Sequence, residues 1–112
     1  MSEQEIIEGN KLIAEFMGLK QNDLEHWINK DYLFGSQLKL FDFELKFHSS
    51  WDWLMPVIEK IELLGFFTRI LDLGMGIEGD LIIERFGKTK LEGTYITVVE
   101  FVKWYNLCQK EK

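Results

Sequence analysis

In "SEQEIIEGNKLIAEFMG" the apolar residues Ile6, Ile13, Phe16 and Met17 recur at helical spacing, while Glu5, Glu8, Lys11 and Glu15 take the other side. The spacing predicts a first helix over residues 4–17, stopped at Gly18 because glycine adopts the left-handed cap at little steric cost. The following "LKQNDLEHWINKDYLFGS" is polar, has no clean period and holds several turn formers, so it reads as a long loop with room for one helical turn after Asp23. "QLKLFDFELKFH" then alternates. Phe41, Phe43, Leu45 and Phe47 fall on one face and Asp42, Glu44, Lys46 and His48 on the other, the pattern of a half-buried strand.

From Ser49 the period is helical again, with Trp51, Leu54, Met55, Ile58 and Ile61 along one stripe and Asp52, Glu59 and Glu62 away from it. "SSWD" matches the Ser-x-x-acid pattern of a helix start, with Ser49 as the capping residue and Asp52 favoured by the dipole. Pro56 then falls early in this helix, harmless if the regular helix begins near Trp53 and a source of a kink at Asp52 otherwise. The helix runs to Gly65. "FFTRILDL" and "DLIIERF" follow as two strands of an antiparallel hairpin, joined by the glycine-rich "GMGIEG" as its loop. The last segment, "KLEGTYITVVEFVKWYNLCQK", predicts a third helix. Tyr95, Val98, Val99, Val102 and Tyr105 form its apolar stripe, Thr94, Thr97, Glu100 and Lys103 its polar one, and Lys110 and Lys112 suit the negative end of its dipole.

The order α, β, α, β, β, α predicts an α+β fold: a small antiparallel sheet of about three strands with helices packed on it, layered as an α/β/α sandwich. A chain of 112 residues suits one domain spanning residues 1–112, and 46% hydrophobic with 14% aromatic residues places it far from disordered chains. Thirteen Lys and Arg against nineteen Asp and Glu give a net charge of −6, which favours a basic protein partner and disfavours direct nucleic-acid binding. The single Cys108 excludes an internal disulfide and a cysteine-based metal site and fits a reducing cytoplasm. "MSEQEIIEG" is acidic where a secretion signal is basic, and no apolar run reaches the roughly 18–20 residues of a membrane span, so neither export nor a membrane is expected.

Several motifs resemble chemistry. Gly74, Gly76 and Gly79 have the dinucleotide-binding spacing, but that fingerprint needs a helix at its third glycine, and here a strand follows. His48, Ser49, Ser50 and Asp52 are triad residue types, yet adjacent residues diverge in direction where a triad converges from separate elements. His26 and His48 lie 22 positions apart with no metal-binding motif. Asp42, Glu44, Asp72 and Glu84 could gather on a sheet face as acid/base groups or magnesium ligands. Trp51 and Trp53 could stack on a sugar or base, although Trp51 falls on the core stripe. Arg85, Lys88 and Lys90 form the one basic cluster, without the interleaved aromatics of a single-strand binding groove. "DLEHWINKDY" places Trp27, Ile28 and Tyr32 in a polar segment, where aromatics anchor a partner or tuck the loop onto the core.

"NKLIAEFMG", "HSSWDWLMPVIEKIE" and "VVEFVKWYN", taken in order along the chain, resemble small uncharacterised proteins carried by phages and Bacteroidetes-type genomes, related to the phage ABA sandwich domain group. The resemblance implies a layered α/β/α sandwich and a phage or prophage context, and it carries no activity. The expected function is therefore a non-catalytic protein-binding accessory protein without cofactor or catalytic residues, in its most specific form an inhibitor of a host CRISPR-type defence nuclease. Its expected binding residues are Glu25, His26, Trp27, Asp31, Tyr32, Asp42 and Glu44. A small metal-dependent hydrolase or nuclease using the strand carboxylates, and an oligomeric phage structural or accessory protein, are the alternatives.

Overall fold

Helix α1 spans Glu3–Phe16 and begins in a capping box at Ser2: the Ser2 hydroxyl accepts the Glu5 N–H at 3.1 Å, and the Glu5 carboxylate accepts the Ser2 N–H at 3.2 Å. It ends at Gly18, whose φ of +87° lets the Leu19 N–H reach the Ala14 carbonyl and the Gly18 N–H reach that of Glu15. Ile13, Ala14, Phe16 and Met17 are buried, as the helical spacing requires. The computed structural model describes residues 1–21, 27–28, 39–40 and 45–110, with residues 20, 21, 27, 28, 39 and 40 described by their backbone. The chain falls into two compact units, Met1–Lys46 and Phe47–Lys112.

Among the described residues of the first unit, the strands β1 (Lys20–Gln21), β2 (Trp27–Ile28) and β3 (Lys39–Leu40) pair antiparallel in that order. Trp27 is the backbone partner of Gln21 on one side and Leu40 on the other. The stretch read as a long loop thus contains strand pairing at its described residues. Buried Asn10 donates from Nδ2 to the Leu45 carbonyl at 3.1 Å, joining α1 to the end of this unit. Of the predicted strand over residues 37–48, only Lys39–Leu40 is extended among the described residues. Leu45 and Lys46 have no regular structure and residues 47–49 form a turn, while residues 41–44 lie outside the described part. The alternation still marks burial: Leu45 and Phe47 are fully buried and Lys46 between them is exposed.

The second unit holds helix α2 (Trp51–Leu63), strands β4 (Phe67–Ile70), β5 (Gly74–Glu78) and β6 (Ile82–Phe86), and helix α3 (Lys90–Lys110). The helix start shifts by one residue from the expectation. Ser50, not Ser49, is the N-cap, and it works through its carbonyl, which accepts the Trp53 and Leu54 N–H groups, with no side-chain cap. The helix is regular from Trp51, so Pro56 lies inside it and withholds the N–H that the carbonyl of exposed Asp52 would otherwise accept. Leu54, Val57, Ile58 and Ile61 are buried; Met55, expected on that stripe, is 37% exposed, because Val57 takes the inward position. Phe47 packs edge-on against Trp53, ring centroids 5.2 Å apart.

The glycine run "GMGIEG" is not a hairpin loop. Gly74–Glu78 is the central strand of a β4-β5-β6 antiparallel meander, paired with β4 from Phe67↔Glu78 to Ile70↔Met75 and with β6 from Gly74↔Phe86 to Glu78↔Ile82. The chain turns instead at Asp72–Leu73, closed by the Leu71 N–H on the Gly74 carbonyl, and at Gly79–Leu81, closed by the Gly79 N–H on the Leu81 carbonyl. A strand paired on both sides needs backbone groups rather than side chains, so glycine's turn preference yields here to close packing. A Cβ on Gly93 of α3 would lie 2.0 Å from the Leu73 carbonyl oxygen and 2.6 Å from the Gly74 Cα. Helix and strand backbones meet there with no space for a side chain.

Helix α3 spans the predicted residues, and its two faces differ from the expected stripes. Thr94 and Thr97, expected on the polar side, are fully buried along with Tyr95, Val98, Phe101 and Val102. Their hydroxyls serve the sheet: Thr97 Oγ1 has the Met75 and Gly93 carbonyls at 3.0 Å and that of Arg85 at 3.4 Å, and Thr94 Oγ1 donates to the Gly74 carbonyl at 3.4 Å. At the start of α3 the Thr89 hydroxyl accepts the Glu92 N–H and the Glu92 carboxylate accepts that of Lys88. Towards its end, Phe101 and Trp104 pack edge-on around Phe66, with centroids at 4.9 and 5.8 Å. Met75, Ile77 and Ile83 complete the core beneath the helices.

The protein is therefore of the α+β class, with three helices and antiparallel strands among the described residues. The seam between α3 and β5 sets the first prediction. Gly93→Ala forces a backbone shift and should cost more than about 2 kcal/mol, lowering Tm by at least about 8 °C. Gly65→Ala, where φ is +101° but no atom lies within 4 Å of the added Cβ, should cost about 1–2 kcal/mol. Paired melting curves check the order; a milder effect at Gly93 than at Gly65 contradicts the seam.

Candidate functional site

Alternation along a strand sends β4, β5 and β6 side chains to two faces. One face is the core just described. On the other, Phe67, Glu78 and Ile82 stand at one level of the sheet and Arg69, Gly76 and Glu84 at the next, with Phe86 beyond them on β6. Phe67 is 76% exposed, Ile82 75% and Phe86 56%, an arrangement that solvent disfavours and a partner surface would cover.

Charges cross the middle of this apolar face. The Arg69 guanidinium meets the Glu78 carboxylate at 2.8 Å and lies 3.9 Å from that of Glu84. Gly76, between them on the central strand, has no side chain to separate the two flanks: a Cβ there would sit 3.5 Å from a Glu84 carboxylate oxygen and 3.8 Å from an Arg69 nitrogen. At the end of the sheet, Ile70, Leu71, Asp72, Leu73 and Phe86 line an open hollow of about 490 Å³, and Ile70 and Leu73 are themselves exposed. The whole surface is preformed on the backbone of one meander.

Glu25, His26, Asp31, Tyr32, Asp42 and Glu44 lie outside the described residues, and Trp27 is described only as a backbone position of β2. Of the four carboxylates considered for acid/base or metal chemistry, Asp72 belongs to the exposed turn and Glu84 to the charged row beside Arg69. Among the described residues, no three His, Cys, Asp or Glu side chains come together in a way that could hold a metal ion. Arg85, Lys88 and Lys90 are exposed, and the Arg85 guanidinium donates to the Glu84 carbonyl. No helix among the described residues is long and apolar enough to cross a membrane.

The open face was not singled out from the sequence, although its signal is there. "F-T-R" in β4 and "I-I-E-R-F" in β6 put apolar and charged residues on the same parity, whereas a half-buried strand separates them. Comparison with known proteins gives no relative: no family model, no curated protein and no solved structure matches this chain.

In the opening of the second unit, His48 lies edge-on to buried Tyr95, centroids 6.1 Å apart. Burial holds its pKa below the ordinary 6.5 and pushes the Tyr95 phenol well above its ordinary range. Because the folded state disfavours the imidazolium, His48 contributes its full stability above pH 6.5, and that contribution is lost as pH falls through the lower, folded-state pKa. Urea denaturation between about pH 7.5 and pH 5 should therefore show wild type losing more stability on acidification than His48→Phe, which keeps a ring at the site. Equal losses in the two proteins contradict the assignment.

Proposed function

We propose that this chain is a non-catalytic protein-binding protein of phage or prophage origin, acting in the bacterial cytoplasm on a partner with a basic surface. The observation that carries the reading is the exposure of carboxylates along two helices: Glu3, Glu5, Glu8 and Glu15 on α1, and Asp52, Glu59 and Glu62 on α2. With a net charge of −6, such faces raise the encounter rate with a basic surface and repel phosphate backbones. A protein surface that normally receives nucleic acid is the chemistry they fit. The resemblance to phage-carried proteins supports the specific case, an inhibitor that occupies the nucleic-acid channel of a CRISPR-type defence nuclease.

Glu25, His26, Trp27, Asp31, Tyr32, Asp42 and Glu44 supply the acidic and aromatic part of the proposed contact. The open sheet face of the second unit favours another reading, an oligomeric phage accessory protein, for which its exposed apolar residues speak. Titration of a purified CRISPR-type nuclease complex with this protein tests the first reading. The expected result is binding that weakens at least about tenfold between roughly 50 and 300 mM salt, and that is further weakened by Glu8→Lys with Glu15→Lys or by Trp27→Ala with Tyr32→Ala. Binding indifferent to salt and to both double variants, or no binding and no inhibition of cleavage, contradicts it.

A further inference from the structure

The outer face of the β4-β5-β6 sheet carries opposite charges at matched places on its two flanks. We propose that it is a self-complementary dimerisation surface, on which a second copy of this chain stacks face to face about a twofold axis parallel to β5. Strands β4 and β6 both run antiparallel to β5 and therefore parallel to each other. A twofold axis along β5 lays β4 of one copy over β6 of the other, in the same direction. The register then sets Phe67 against the second copy's Ile82 and Arg69 against its Glu84, and the same two contacts recur on the other side of the axis. Apolar meets apolar and cation meets anion at both places.

The centre of the face suits close stacking. Gly76 lies directly beneath the axis and presents no side chain, so two sheets can approach to the ordinary spacing of about 10 Å with flanking side chains interdigitating. Glu78 lies opposite the second copy's Glu78 across the axis, and each of these two carboxylates is balanced by its own Arg69 at 2.8 Å. The exposed parts of Phe67, Ile82 and Phe86, with those of Arg69, Glu78 and Glu84, amount to on the order of 700 Å². That is close to the roughly 800 Å² each partner gives to a standard interface, and its apolar share, about 400 Å², is of the size that is often functional on a monomer. Self-association through this face does not depend on the acidic partner-binding role proposed above.

The matched charges make the test specific. Sedimentation equilibrium of the full chain over about 5 µM to 1 mM should show a monomer–dimer equilibrium, shifted to monomer by Phe67→Ser with Ile82→Ser. Arg69→Glu and Glu84→Arg should each shift the protein to monomer, since each sets like charges against each other at both contacts. Exposed ion pairs add little to fold stability, so both variants should keep the wild-type circular dichroism and cooperative melting. Mixed in equal amounts, the two single variants should form a heterodimer, and the doubly reversed chain should dimerise by itself. A wild-type protein that stays monomeric at 1 mM overturns the proposal, as does a dimer indifferent to the Phe67/Ile82 variant, or a failure of folded single variants to recover association on mixing.

Discussion

Everything in the second unit rests on how closely α3 lies on β5. Gly93 and Gly74 meet backbone to backbone, and a single added carbon at Gly93 would stand 2.0 Å from the Leu73 carbonyl oxygen. The Thr97 hydroxyl, with the Met75 and Gly93 carbonyls each at 3.0 Å, ties the same helix turn to the strand beneath it. Such contact places Tyr95, Val98, Phe101 and Val102 over Met75, Ile77 and Ile83, so that one face of the sheet becomes the core. The opposite face is then left to present Phe67, Ile82 and Phe86 outward. A helix held further from the sheet would leave voids that these side chains cannot fill, at a cost that grows with cavity volume.

The two hydroxyls also explain why a polar stripe can be a buried one. Thr94 and Thr97 lie on the helix side that hydropathy assigns to solvent, yet each is fully buried with its oxygen aimed at strand carbonyls. A buried hydroxyl is tolerated when hydrogen-bonded, and threonine is small enough to fit where the helix presses on backbone. Gly74 acts on the strand side: a Cβ there would lie 1.9 Å from the Arg85 carbonyl oxygen of β6, so its absent side chain serves close strand pairing rather than turning, whereas a Cβ on Gly76 would make only ordinary contacts with Glu84 and Arg69.

Legibility in the sequence followed from the range of the forces involved. Amphipathic spacing and the glycine stops at Gly18 and Gly65 are local, and the three helices were readable within a residue or two. The capping signal is local as well, but it operates at the first helix rather than the second. "SEQE" at the first helix forms a full capping box, while "SSWD" at the second starts a helix through the Ser50 carbonyl alone. The central strand was not readable, because its identity depends on two partner strands and a helix distant in sequence, and its glycines carry the opposite local preference. The open face depended on the same missing strand: without β5 between them, β4 and β6 have no matched levels on which Arg69 and Glu84 can be seen to oppose. The residues expected to bind a partner, from Glu25 to Glu44, lie largely outside the described part, and the face the structure presents is defined by exposure and strand register.

That Gly74–Glu78 is a central strand locked under α3, rather than a loop between two strands, is the claim on which the rest stands. Amide hydrogen exchange resolved by residue tests it directly. The Met75, Gly76 and Ile77 amides should exchange as slowly as those of Val98, Phe101 and Val102, in step with global unfolding and well behind the turn at Asp72–Leu73. Exchange of Met75 to Ile77 at the rate of that turn would contradict the account.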